Sequence, residues 1–176
     1  KRLSDLVDGL LSIAKIEERS DEFEIVDVDG SKLVNDAVAS FREIAKEGAK
    51  SLTAEVEEGL IVKADERLFY TLVNILVDNA IKYCDDGGTV HVIFERKAKS
   101  VQLLVSNDYK DDAGVDYTRF FDRFYREDAS HSSEKKGFGI GLSMAAEIVG
   151  YCGGSIHVRY EESRIAFAVR LKAGEM

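Results

Sequence analysis

A chain of 176 residues, 45% of them hydrophobic, has enough apolar content for one domain-sized core without disulfide or metal staples. Its formal net charge of −9, from 24 Lys and Arg against 33 Asp and Glu, argues against a nucleic-acid partner, which needs cations clustered on one face. No apolar run approaches the roughly 20 residues of a membrane span, no signal peptide is present, and Cys84 and Cys152 show neither CxxC nor metal-ligand spacing. Both thiols are expected to be reduced and packed in the core, which suits a cytosolic setting. The start at Lys1 without a methionine reads as an excised fragment, which leaves membrane segments in a parent protein open.

In chain order, residues 3–18 are expected to form an amphipathic helix, with Leu3, Leu6, Val7, Leu10, Ile13 and Ala14 on a three-and-four spacing that needs a partner. A polar connector follows, then a short strand over residues 23–28 and a second helix over 31–49, with Ser31 as its N-cap. Residues 51–56 and 60–64 read as a hairpin turning at Glu58-Gly59, and a long helix begins near Asp65. Asp85-Asp86-Gly87-Gly88 ends that helix. Strands over 90–95 and 101–106 alternate apolar and polar residues, as do two final strands over 156–160 and 165–171. Half-buried strands interleaved with helices predict an α/β (α+β) fold: a two-layer α/β sandwich whose mixed, mostly antiparallel sheet is covered on one face by helices.

Three stretches carry candidate chemistry. Asn79 falls in helical step with Leu68, Leu72, Ile75 and Leu76, opposite Arg67, Thr71, Asn74, Asp78 and Lys82. An unpaired buried amide costs about 1–3 kcal/mol, so either the core or a ligand must satisfy it. Gly137-Phe138-Gly139-Ile140-Gly141, opening a helix at Leu142, offers bare N–H groups and a helix N-terminus, which suit phosphate; a flexible hinge is the alternative. No strand precedes it, as a dinucleotide fold requires, and no Gly-Lys-Ser or Gly-Lys-Thr follows, as a P-loop requires. Phe120, Phe121, Phe124 and Tyr125 recur at helical spacing and read as core, with Arg123 and Arg126 projecting away from it. The long polar tract around these residues reads as a lid.

Taken together, Asn79-Ala80-Ile81-Lys82-Tyr83, Phe121-Asp122-Arg123-Phe124-Tyr125-Arg126 and Gly137-Phe138-Gly139-Ile140-Gly141-Leu142-Ser143 resemble the N box, F box and second glycine box of sensor histidine kinases, in family order and spacing. The resemblance covers nearly the whole chain. It implies that residues 1–20, including Leu6-Val7-Asp8-Gly9-Leu10-Leu11, are the end of a dimerisation helix with its linker, and that 21–176 form a catalytic ATP-binding domain of the histidine kinase, gyrase and Hsp90-like fold. It further implies that Asn79 ligates magnesium through its amide oxygen, a hard neutral donor. Lys82, Arg123 and Arg126 then face phosphate, Tyr83 flanks the nucleotide, and Gly137, Phe138, Gly139, Ile140, Gly141 and Leu142 hold the triphosphate. The implied activity is transfer of the γ-phosphoryl of Mg-ATP to a histidine that precedes residue 1, for relay to a response regulator. The parent is implied to be a membrane-anchored homodimer with this domain in the cytoplasm.

The family pattern breaks twice. Ile75 stands four residues before Asn79, where the family often has a polar residue and the gyrase and Hsp90-type ATPases carry a catalytic glutamate, so a general base for hydrolysis is absent there. The first glycine box has decayed: Asn107 falls at the adenine-reading Asp, Tyr109 and Asp111 fall where glycines belong, and a one-residue shift puts Asp108 in that place instead. An amide at 107 accepts from adenine's amine and, if flipped, also fits guanine, so a weaker preference for ATP over GTP is expected than an Asp gives. These losses motivate a rival reading, a nucleotide-binding or scaffolding module without kinase activity. None of His91, His131 and His157 lies on the dimerisation helix, so none is expected to accept phosphate.

Overall fold

The structure, a computed structural model, describes residues 22–110, 120–122 and 141–175. The expected helix over residues 3–18 lies outside them. Among the described residues the chain forms β1 (Val26–Asp29), α1 (Gly30–Glu47), β2 (Ser51–Val56), β3 (Ile61–Ala64), α2 (Glu66–Tyr83), β4 (Thr89–Lys97), β5 (Ser100–Asp108), α3 (Gly141–Tyr151), β6 (Ser155–Glu161) and β7 (Arg164–Lys172). None of these helices is long and apolar enough to cross a membrane.

Local chemistry sets the helix ends. Asp29, not Ser31, caps α1, accepting from the Lys32 N–H at 3.0 Å. Ser31 is buried one residue inside, where its hydroxyl donates to the Glu57 carbonyl at 2.6 Å and accepts from the Leu60 N–H at 2.9 Å, fastening the helix start to the link between β2 and β3. Asp65 caps α2 through the Leu68 N–H at 3.0 Å and also accepts from the Glu24 N–H at 3.0 Å. Beyond α2 the chain turns at Gly87, whose φ of +73° favours glycine.

The sheet runs β2-β4-β5-β7-β6. β4, β5, β7 and β6 pair antiparallel in that order, and β2 lies parallel on the β4 edge. The hairpin expected from residues 51–56 and 60–64 does not form. β2 instead aligns Leu52, Ala54 and Val56 with Val90, Val92 and Phe94, and Glu57 donates to the Phe94 carbonyl at 2.9 Å to extend that ladder. β3 pairs antiparallel with β1 in a separate two-stranded sheet, tied to the end of β7 by a bridge between Val62 and Ala173. Gly59 permits the turn with φ of +71°, but β2 finds in β4 a long partner with apolar residues in matching register, and this outweighs its sequence neighbour.

Strand alternation puts Val90, Val92 and Phe94 of β4, Val101, Leu103 and Val105 of β5, and Ile165, Phe167, Val169 and Leu171 of β7 among the buried core, with Leu72, Val73 and Leu76 of α2 and Ile148 of α3. Each such side chain contributes about 1.5–3 kcal/mol on burial, which fixes the register of every strand. The opposite face carries polar groups, among them His91, 3.1 Å from Glu55. His157 is exposed. The architecture is the two-layer sandwich expected from the strand pattern.

Candidate functional site

The buried side of α2 is formed by Leu68, Phe69, Leu72, Val73, Leu76, Val77, Ala80 and Ile81. Asn79 is therefore not within the core stripe, where its spacing with Leu68, Leu72 and Leu76 put it; it is half-buried at the stripe's edge, with Ile75 one turn before it. The core centres on the Phe69, Val73, Leu76 and Ala80 row, rotating Asn79 toward the flank. No hydrogen bond joins its side chain to another described residue, and it is half-buried rather than enclosed in the core. Against this flank rests the start of α3: a Cβ at Gly141 would lie 3.5 Å from Cγ2 of Ile75. The first turn of α3 carries no acidic side chain to compete for its N-terminal dipole.

Lys82, one turn beyond Asn79, holds its ammonium 2.7 Å from the Asp78 carboxylate, with both side chains 43% exposed. A pair this open is worth about 0.5 kcal/mol or less, so it leaves the ammonium available to a more highly charged anion. Tyr83 is half-buried at the last residue of α2. Leu142 is half-buried and packs on the core.

The other wall forms where β5 ends. Register settles which of two neighbours faces inward: Asn107, opposite Val90 and Ile165, is fully buried, while Asp108 points to the other face. There Asp108 binds the Arg164 guanidinium and accepts from the Thr89 N–H at 2.8 Å, so its carboxylate is structural. Nδ2 of Asn107 donates to the Asp108 carbonyl at 3.1 Å. That same carbonyl accepts from the Asp85 N–H at 2.9 Å, which ties the end of α2 to the end of β5. Oδ1 of Asn107 is buried and has no partner among the described residues.

Beyond it, Tyr109 is buried with its ring edge-on to Tyr160 at 6.4 Å, and the Lys110 N–H donates to Asp85 at 2.9 Å. A ring packed on the outer strand replaces the glycine of the family pattern, and nothing in the sequence around Tyr109 signalled that contact. Phe120 stacks on Phe167 at 6.2 Å and Phe121 meets it edge-on at 6.1 Å, so this pair is packed on the core as its spacing implied. Arg123, Arg126, Gly137, Phe138, Gly139 and Ile140 lie outside the described residues. Cys84 is buried and Cys152 half-buried, both free, and burial pushes both thiols up.

Residues 64–174 match the model of the histidine kinase-, DNA gyrase B- and HSP90-like ATPases. The chain belongs to this family. Sensor kinases match it along most of its length. It is 31% identical over 97% of its length to the sensor protein PcoS of Escherichia coli, covering 36% of that protein. It is 30% identical over 89% of its length to the sensor-like histidine kinase SenX3 of Mycolicibacterium smegmatis, covering 41% of it. The chain thus spans less than half the length of these relatives. Among solved structures, the catalytic domain of histidine kinase ThkA superposes with a TM-score of 0.73 over 85% of this chain and 95% of that one, at 22% identity, and shows the shared fold. The chain is a catalytic ATP-binding domain of the sensor kinase type, and the N-box, F-box and glycine-box residues lie within the matched span.

Proposed function

We propose that this kinase-family domain binds Mg-ATP between the flank of α2 and the end of β5, and delivers the γ-phosphoryl to a histidine on a dimerisation domain, for relay to a response regulator. The observation that carries the reading is the half-buried amide of Asn79, without a hydrogen-bond partner among the described residues, beside the acid-free start of α3, where Gly141 approaches Ile75. Phosphoryl transfer asks the protein chiefly for positioning and charge neutralisation, which amides, helix N-termini and cations provide.

Magnesium fits this donor set. The neutral amide oxygen of Asn79 suits a hard cation whose other ligands would be phosphate oxygens and water. Bound there, magnesium neutralises charge that an acidic domain otherwise repels. Lys82 then exchanges Asp78 for phosphate and Tyr83 flanks the nucleotide, and Arg123, Arg126 and the residues 137–142 are assigned to the triphosphate on the family resemblance alone. Residues 1–20 belong in this reading to the dimerisation helix of a homodimeric, membrane-anchored parent.

The purified chain, mixed with a matched dimerisation domain and radiolabelled ATP, is expected to produce phosphohistidine on that domain and no label on itself. Label at His91, His131 or His157 contradicts the assignment. Nucleotide binding without any transfer would favour the rival, a binding or scaffolding module.

A further inference from the structure

Three consecutive residues ahead of β1 are held by side chains of α2 and α3 rather than by a strand partner. The Glu22 carbonyl accepts from Nη2 of Arg67 at 3.0 Å, the Phe23 carbonyl accepts from the Tyr151 hydroxyl at 2.8 Å, and the Glu24 N–H donates to Asp65 at 3.0 Å. The Phe23 ring stands edge-on to Tyr151 at 6.0 Å and lies beneath the Arg67 guanidinium, 5.2 Å from the ring centroid. We propose that Phe23, Arg67 and Tyr151 are positioning residues for phosphoryl transfer, clamping the chain that arrives from the phosphoacceptor helix onto the two helices that flank the nucleotide. The inference rests on the kinase reading above.

Burial alone does not hold this stretch. Glu22, Glu24, Ile25 and Val26 are exposed and Phe23 is half-buried, so the segment ahead of β1 depends on these directed contacts. Both jaws of the clamp are themselves pinned. Asp65 is buried and caps α2 through the Leu68 N–H at 3.0 Å. Tyr151 ends α3, whose last turn is closed by the Gly153 N–H on the Gly150 carbonyl at 3.0 Å and by the Gly154 N–H on the Val149 carbonyl at 2.9 Å.

The place of the clamp gives it a use. α2 carries Arg67 in its first turn and Asn79 toward its end. α3 starts at Gly141 beside Ile75 and reaches Tyr151 eleven residues later, about 16 Å away. The helices that flank the nucleotide at one end therefore hold the connector at the other. Released, residues 22–25 would lengthen the connector by up to about 13 Å, whereas a misplacement of about 1 Å between reacting groups costs roughly a hundredfold in rate. An acceptor histidine attached ahead of Lys1 thus meets the γ-phosphate at a position that the clamp helps to set.

The clamp is tested in the whole chain by amide exchange. The Glu24 N–H is expected to exchange at least about tenfold more slowly than in an unfolded chain, and Tyr151→Phe, which removes only the hydroxyl on the Phe23 carbonyl, to lose part of that protection. Its role is tested in the parent kinase, which carries the acceptor. There Phe23→Ala is expected to leave Kd for Mg-ATP within about twofold of wild type and to lower kcat of histidine phosphorylation by roughly tenfold to a hundredfold. Tyr151→Phe should show the same split to a smaller degree, which keeps the test open if Phe23→Ala fails to fold. Phe23→Tyr, which keeps the ring, should retain kcat. Wild-type Glu24 exchanging as an unfolded chain does, kcat unchanged in both clamp variants, or Kd and kcat worsening together as a merely structural role requires, overturns the inference and leaves the kinase reading in place. Wild type that binds no Mg-ATP, or binds it and transfers nothing, overturns the kinase reading and the inference with it.

Discussion

At the scale of single residues, two side chains illustrate how neighbours decide chemistry. Tyr109 stands where the family pattern has glycine, and its ring is buried against Tyr160, two residues beyond Asn107. Truncation to Ala should cost about 3 kcal/mol, as for other buried aromatics, read as a lower urea midpoint, with weaker ATP binding in the same protein. Cys84 is sealed between the end of α2 and the end of β5, and burial is the main cause holding its thiol protonated, opposed in part by Lys50. A thiol whose pKa is raised in the folded state adds nothing to stability below its unfolded pKa; stability falls as pH rises through and above that value, near 8.5–9 by about the usual range for a free thiol. Mass spectrometry after iodoacetamide at pH 8 should therefore find Cys84 unmodified in the native protein and modified once urea unfolds it. Rapid native alkylation would show that the site opens to solvent.

At the scale of elements, the junctions matter more than the interiors. Gly154 leads into β6, and a Cβ there would lie 2.2 Å from the Arg170 carbonyl oxygen and 2.4 Å from Cδ2 of Leu171. Both obstacles belong to β7 and one is backbone, so Gly154→Ala is expected to destabilise by about 3 kcal/mol or more in urea unfolding. A loss below about 0.5 kcal/mol would mean that β6 shifts away freely. Asp65 carries two backbone N–H groups, those of Leu68 and Glu24, and so couples the start of α2 to the chain entering β1.

These junctions also mark what sequence could and could not supply. Alternation in β4, β5 and β7 was legible because one face of each strand is buried, and Asp85-Asp86-Gly87-Gly88 ended α2 for a local reason. The pairing of β2 with β4 was not legible, since local order favours the neighbour β3 and only the tertiary register of Leu52, Ala54 and Val56 overrides it. The edge position of Asn79 was missed for a similar reason: a stripe of apolar residues wider than half the helix does not say where its centre lies until a sheet packs on it. Conversely, Asn107 against Asp108 was open by spacing alone and is decided by register, which sets every side chain of β5 to one face or the other.

At the scale of the whole molecule, the polar sheet face bearing His91 and His157 is covered by no helix among the described residues, and the helices pack on the other face, over the core. His91 lies one register row from Asn107 on the neighbouring strand but on the opposite face of the sheet, and His157 shares the face of His91. In the proposed function Asn79 grips a cation on the nucleotide. Its most direct measurement is the melting temperature of wild type and Asn79→Ala, titrated with ATP in the presence and absence of magnesium. Wild type with magnesium should gain about 2.7 kcal/mol of stability at a ligand concentration of about one hundred times Kd. Asn79→Ala should melt as wild type does without nucleotide, because the amide has no hydrogen bond to another described residue, and should gain little with or without magnesium. An equal gain by both proteins, or a gain in wild type that ignores magnesium, would contradict the account.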